Sequence, residues 1–269
     1  MLNKINETVT YLRDKTGFRP DVGIILGTGL GGLVKEIKIE YELEYDSIPN
    51  FPIPTVDGHH GKLIMGELEN RKVMAMQGRF HYYEGFSMQD IVFPVRVMKF
   101  LGIRYLFLSN ASGGVNPDFD IGDLMIMTDH INLLPNPLIG PHIPEYGERF
   151  PDMSETYSKE LIQEAENIAQ RHGIKIRKGV YTATSGPTFE TPAEYQYFRI
   201  IGSDTVGMST VPETIVARQM GIPCFAISII TDLGIPGKIE MVTHELVQEV
   251  AHRAEEKMTL LMRNLIGTL

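Results

Sequence analysis

Apolar residues fall into two rhythms along the chain. In 89–101 they recur at 91, 92, 95, 98 and 101, a helical period that stops at Gly102, and in 244–266 they recur at 247, 250, 254, 258, 261 and 265. Residues 158–172 form a further helix stopped by Gly173, and 1–16, where Lys4, Glu7, Arg13 and Asp14 interrupt apolar positions, read as an amphipathic helix. Between these lie short apolar runs of buried-strand type at 21–26, 103–108, 124–128, 179–184 and 223–230, with a brief one at 205–206. Residues 37–47 alternate apolar with charged, as a half-exposed strand does, and 62–67 and 72–77 read as two strands joined by a turn at Glu69-Asn70. Strands alternating with helices predict an α/β fold whose ligand site lies at the carboxyl edge of its sheet. No repeat or linker divides the chain, so one domain over 1–269 is expected. Pro49, Pro52 and Pro54 force an irregular stretch, and 132–151, rich in proline, glycine and charge, reads as a long loop suited to a lid or a subunit contact.

Composition narrows the function classes. Of the 269 residues 43% are hydrophobic and 22% charged, and no apolar run approaches the roughly 20 residues of a membrane helix. A formal charge of −9 excludes a broad nucleic-acid footprint, although a local arginine or histidine can still hold a small anion. The single cysteine, Cys224, sits in an apolar run and has no internal disulfide partner. With no secretory-type block near the start, a cytoplasmic protein is expected.

Candidate chemistry begins where the first apolar strand empties into glycine. Gly27, Gly29 and Gly32 have the spacing G-x-G-x-x-G, which suits a dinucleotide pyrophosphate, a nucleotide or a single free phosphate. The dinucleotide reading fails beyond Gly32, because such a unit needs a helix of about three turns and then a second strand ending in an acid. This chain offers the alternating stretch 37–47, where Glu44 or Asp46 would be a poor ribose acid. His59 and His60 lie in the loop 55–61 without a third ligand nearby, so they read as solvated and no metal is expected. Gly78-Arg79-Phe80-His81-Tyr82-Tyr83-Glu84-Gly85 puts a cation, an imidazole and phenols at a strand end, either for an anionic, hydroxylated ligand or as a polar loop with packed aromatics. The small residues of 109–114 leave room beside a ligand after another strand. Thr191, Pro192 and Glu194 spell a capping box, which leaves Phe189 and Glu190 unexplained on the turn above the sheet. Thr210 and Glu213 spell a second box. Ser209 and Thr210 would also suit an anion at a helix N-terminus.

Taken together, Gly27-Thr28-Gly29-Leu30-Gly31-Gly32, Gly78-Arg79-Phe80-His81 with Tyr83-Glu84-Gly85, Asn110-Ala111-Ser112-Gly113-Gly114, Phe189-Glu190-Thr191 and Gly207-Met208-Ser209-Thr210-Val211-Pro212-Glu213 closely resemble the trimeric purine nucleoside phosphorylases, in collinear order over essentially the whole chain. The resemblance implies a central mixed β-sheet flanked by helices, a homotrimer, and attack of orthophosphate on the anomeric carbon of a purine nucleoside. The products would be free base and pentose 1-phosphate, with phosphate as co-substrate and no cofactor. It also implies roles. Thr28, Arg79, His81, Ala111 and Ser209 would cradle phosphate. Tyr83, Met208 and His244 would hold the ribose, with Phe150 supplied by a neighbouring subunit. Phe189, Glu190 and Asp232 would meet the purine, His81, Glu190 and Asp232 being the catalytic set, and His59 could lie near the phosphate or sugar. Thr28 replaces the family's usual serine and keeps the hydroxyl.

One position departs from the pattern. Members acting on 6-oxopurines carry asparagine after Thr231, whereas this chain has Asp232. A carboxylate accepts from a 6-amino group, as in the related methylthioadenosine phosphorylases, but meets O6 only when protonated. Glu190 points to N1–H of a 6-oxopurine. Inosine or guanosine is therefore the expected substrate, with a 6-aminopurine nucleoside the alternative.

Overall fold

The computed structural model describes residues 1–27, 31–53, 55 and 61–269, so the expectations placed on Thr28 and His59 fall outside the described residues. Helix α1 (Leu2–Thr16) leads into β1 (Val22–Leu26), all five residues of which are buried. The glycine turn is followed by a four-residue helix, α2 (Gly32–Lys35), and then by β2 (Lys38–Glu44), which rules out the long helix of a dinucleotide-binding unit. Strands β3 (Lys62–Leu68) and β4 (Arg71–Gln77) form a hairpin, and α3 (Met88–Leu101) starts at a Ser87–Asp90 capping box and ends at Gly102.

The second half comprises β5 (Tyr105–Gly114), β6 (Leu124–Asn132), α4 (Lys159–Arg171), β7 (Ile176–Ala183), α5 (Pro192–Ile200), β8 (Thr205–Gly207), α6 (Val211–Gln219), β9 (Cys224–Leu233) and α7 (His244–Gly267). Among the described residues the strands make one nine-stranded sheet in the order β2-β3-β4-β1-β5-β8-β7-β6-β9. It is mixed: β1 runs parallel to β4 and β5, while β3 is antiparallel to both its neighbours. Because β9 also pairs with β5, the strands β5, β8, β7, β6 and β9 close into a ring, each paired with a strand on either side. The main apolar core lies between this sheet and the helices around it.

Two expected strand ends are corrected. The small residues 109–114 are the second half of β5 itself, and Thr231 and Asp232 belong to β9. The cause is mutual pairing: Ser109 faces Ile227, Asn110 faces Ser228 and Ala111 faces Ile229 in continuous parallel register. Small polar side chains let the two strands share buried bonds, with Ser112 Oγ 2.6 Å from Ser228 Oγ and the Ser228 hydroxyl donating to Asn110 Oδ1 at 2.6 Å. The register then slips, since Ser112 pairs with Ile230 but Gly113 pairs with Asp232. Thr231 is the extra residue of a β-bulge, a device that turns the following side chain to a new direction.

Candidate active site

A cavity of about 270 Å³ opens where β1, β4, β5, β8 and β9 end. Arg79, His81, Tyr83, Ala111, Phe189, Glu190, Met208, Ser209, Asp232 and His244 all line it, with Gly27 beside them. The exception among the described candidates is Phe150, which stands 88% exposed on the long loop and borders a separate cavity with His130 and Met153.

The cationic end is built around Arg79, just past the end of β4. One guanidinium nitrogen donates to the Ser109 carbonyl at 3.0 Å, to Ser209 Oγ at 3.0 Å and to Thr210 Oγ1 at 3.2 Å. Its other terminal nitrogen lies 3.2 Å from Glu213 Oε1. This corrects the expected second capping box. Thr210 has φ +72° and makes no capping bond; its hydroxyl instead accepts from Asn110 Nδ2 at 2.8 Å and from Arg79, and Glu213 is spent on the same arginine. A β-branched residue in the left-handed region carries backbone strain of about 1–3 kcal/mol, held here by the hydrogen bonds around it. Gly27, just past the end of β1, packs directly on β5 beside this cradle, because a Cβ there would lie 2.8 Å from the Ser109 carbonyl oxygen. The start of α2 is held by α7, where the Gly32 N–H donates to the buried Glu255 carboxylate.

His81 is fixed by Glu84, whose carboxylate accepts from the His81 backbone N–H at 2.9 Å and lies 3.0 Å from Nδ1. Burial lowers the imidazole's pKa. Burial would raise the Glu84 carboxyl, but hydrogen bonds from His81 and Thr55 outweigh it and bring it down to about 2. A neutral ring beside an ionised carboxylate carries its proton on Nδ1, leaving Nε2 as an acceptor. The Tyr83 ring stacks on His81 with centroids 4.8 Å apart, and burial pushes its hydroxyl up to about 12. His244 opens α7 behind the Thr243 cap, with Nε2 3.0 Å from Gln248 Nε2.

The opposite wall is acidic. Asp232, 7% exposed, accepts from the Thr231 hydroxyl at 2.9 Å and from the Tyr195 hydroxyl at 3.1 Å. Burial raises its pKa despite these bonds. Glu190 precedes the Thr191 cap of α5, and burial, followed by the nearby Asp232 and Glu194, lifts its pKa to about 7. Ser109, which binds Arg79, and Gly113, which faces Asp232, are four positions apart on β5, about 13 Å at the rise of a strand. A cation with hydroxyls at one end and two acids whose burial favours the protonated form at the other suit a ligand with an anion at one end and a heterocycle at the other.

Three residues here escaped the sequence reading. Glu213 carried a capping signal that hid its pairing with Arg79. Glu255 lies far along α7, and Tyr195 read only as a residue of the helix after the Thr191 cap.

Residues 21–267 match the family described as the Phosphorylase superfamily. The chain is 48% identical over 268 residues to purine nucleoside phosphorylase 1 of Bacillus subtilis, covering 99% of each. The crystal structure of Schistosoma mansoni purine nucleoside phosphorylase in complex with adenosine superposes with a TM-score of 0.95 at 39% identity, covering 99% of this chain and 97% of that one. That of the S. mansoni enzyme in complex with inosine gives a TM-score of 0.93 at 38% identity, covering 99% and 96%. The chain belongs to the Phosphorylase superfamily, among its purine nucleoside phosphorylases.

Proposed function

We propose that the cavity carries out the reversible phosphorolysis of 6-oxopurine nucleosides, inosine and guanosine, with orthophosphate. The observation that carries this reading is the polarity of one cavity: Arg79, His81 and Ser209 at one end, Glu190 and Asp232 at the other. Phosphate occupies the cationic end, with Thr28 from the glycine turn and Ala111 completing its contacts. Neutral His81 accepts a hydrogen bond from a phosphate hydroxyl through Nε2. Tyr83, Met208 and His244 hold the pentose, and Phe189 lies against the base.

A phosphate oxygen forms a bond to C1′ as the bond from C1′ to N9 breaks, and its electron pair passes into the purine. Positive charge building on the pentose is stabilised by the phosphate below it. Negative charge on the base is met by a hydrogen bond or proton from the acid form of Asp232 at N7 or O6, while ionised Glu190 accepts from N1–H. Alignment of both reactants in one cavity supplies much of the remaining acceleration. Phe150, exposed on the 132–151 loop, fits a role in closing the pentose site of a neighbouring subunit in a homotrimer. A cytoplasmic setting accords with purine salvage chemistry and a buried, unpaired Cys224.

The carboxyl of Asp232 favours a second reading, since its ionised form accepts from a 6-amino group. Turnover of inosine, guanosine, adenosine and methylthioadenosine at saturating phosphate separates the two. Inosine or guanosine is expected to lead; adenosine or methylthioadenosine far outpacing both would overturn the 6-oxopurine assignment.

A further inference from the structure

Behind the acidic wall, Tyr195 of α5 does not line the cavity, yet its hydroxyl donates to Asp232 Oδ2 at 3.1 Å in a buried contact. Its ring belongs to a small apolar cluster with Val115, Phe198 and Val206, separate from the main core. The seat is shaped for it. The ring lies so close over Gly234 that a Cβ there would overlap its edge, and a Cβ on Gly113 would lie 2.8 Å from Asp232 Oδ2, the oxygen that Tyr195 holds. Thr231, the bulged residue, donates to the other oxygen, so Asp232 is gripped at both atoms.

We propose that Tyr195 is the positioning residue of the base subsite, its hydroxyl fixing Asp232 Oδ2 and shifting the balance from the acid form toward the carboxylate, so that 6-aminopurines are accepted beside 6-oxopurines. This rests on the reading that Asp232 meets the purine. A donor fixed on Oδ2 stabilises the ionised carboxyl, which accepts, against the acid form, which donates. The groups facing Asp232 are Tyr195 from α5, Thr231 on its own strand, Gly113 of β5 with no side chain to offer, and Glu190 just before α5, which shares the Tyr195 hydroxyl and is itself faced by Glu194. Burial and the two adjacent acids hold the proton on Tyr195, so it stays a donor across the working pH range. Without that hydroxyl, the balance at Asp232 moves toward the acid form, which suits O6 and N7 and disfavours a 6-amino group.

The test compares the parent, Tyr195→Phe, Asp232→Asn and the double variant, measuring kcat/KM for inosine and adenosine from about pH 5.5 to about pH 9. Tyr195→Phe keeps the ring in its cluster, and thermal unfolding checks that it folds. Loss of a hydrogen bond to a charged group is expected to shift the inosine to adenosine ratio about tenfold toward inosine. The fall in inosine rate that follows loss of the Asp232 proton should move to higher pH while the KM for phosphate stays within about twofold. In the Asp232→Asn background the same change should leave the ratio within about twofold, because an amide has no acid form to favour. An unchanged ratio and profile in Tyr195→Phe, or an equal shift in both backgrounds, would overturn the role of Tyr195 while leaving the phosphorolysis intact. A parent that releases base from neither nucleoside would overturn the functional reading and this inference with it.

Discussion

Arg79 and Glu213 form an ion pair at 3.2 Å with side chains only 2% and 3% exposed, directly beneath the cationic end of the cavity. One comes from the end of β4 and the other from the first turn of α6, so the pair ties two elements to the floor of the phosphate site. A buried pair of this kind adds little net stability over an apolar substitute, but losing one partner leaves an uncompensated charge. Glu213→Gln is therefore expected to destabilise the fold by about 3 kcal/mol and, by releasing the guanidinium from its fixed direction, to raise the KM for phosphate about tenfold. Chemical denaturation and initial rates at varied phosphate measure the two effects. A variant with parental phosphate KM would separate Glu213 from the cradle.

The acidic wall predicts opposite effects of pH through its two acids. Glu190 has a pKa of about 7 in the empty site, and only its ionised form accepts from N1–H, so kcat/KM should rise as pH climbs through about 7. Asp232 is raised as well, by burial, and its acid form is the donor, so loss of that proton acts in the opposite direction. Glu190→Gln should remove the rise centred near pH 7.

The same shift has a cost in stability, with a definite sign. Glu190 binds its proton more tightly folded than unfolded, so its contribution is full below the ordinary value of 4.5 and is lost as pH rises toward about 7. Glu190→Gln should accordingly stabilise the protein at pH 8 by about 1–2 kcal/mol, allowing for partial exposure, and leave it unchanged near pH 4. Thermal melts at the two values check it, and equal shifts at both would contradict the burial of the charge.

Much of this site was legible in the chain because its residues sit at strand ends that periodicity locates well. The apolar run 21–26 delivers the glycine turn and 72–77 delivers Arg79 and His81, and the structure keeps both within a residue. The capping box at Thr191 was also legible, since it depends on local geometry alone. What escaped depends on contacts distant in sequence. Thr210 and Glu213 carry the same local signal as Thr191 and Glu194, yet Arg79 and Asn110, about a hundred residues earlier, recruit both hydroxyl and carboxylate away from the helix end. The ring closure of β5 with β9 and the bulge at Thr231 arise from strand pairing, which periodicity does not encode, and that bulge is what aims Asp232. Tyr195 is one aromatic on a short helix until Asp232 is placed beside it.

The central claim is that phosphate itself is the nucleophile. Incubating the protein with inosine and following the reaction by phosphorus NMR tests it: hypoxanthine and ribose 1-phosphate should appear together in equal amounts, with no base released when phosphate is left out. Base release that proceeds without phosphate and yields free ribose, or no sugar phosphate with phosphate in excess, would contradict it.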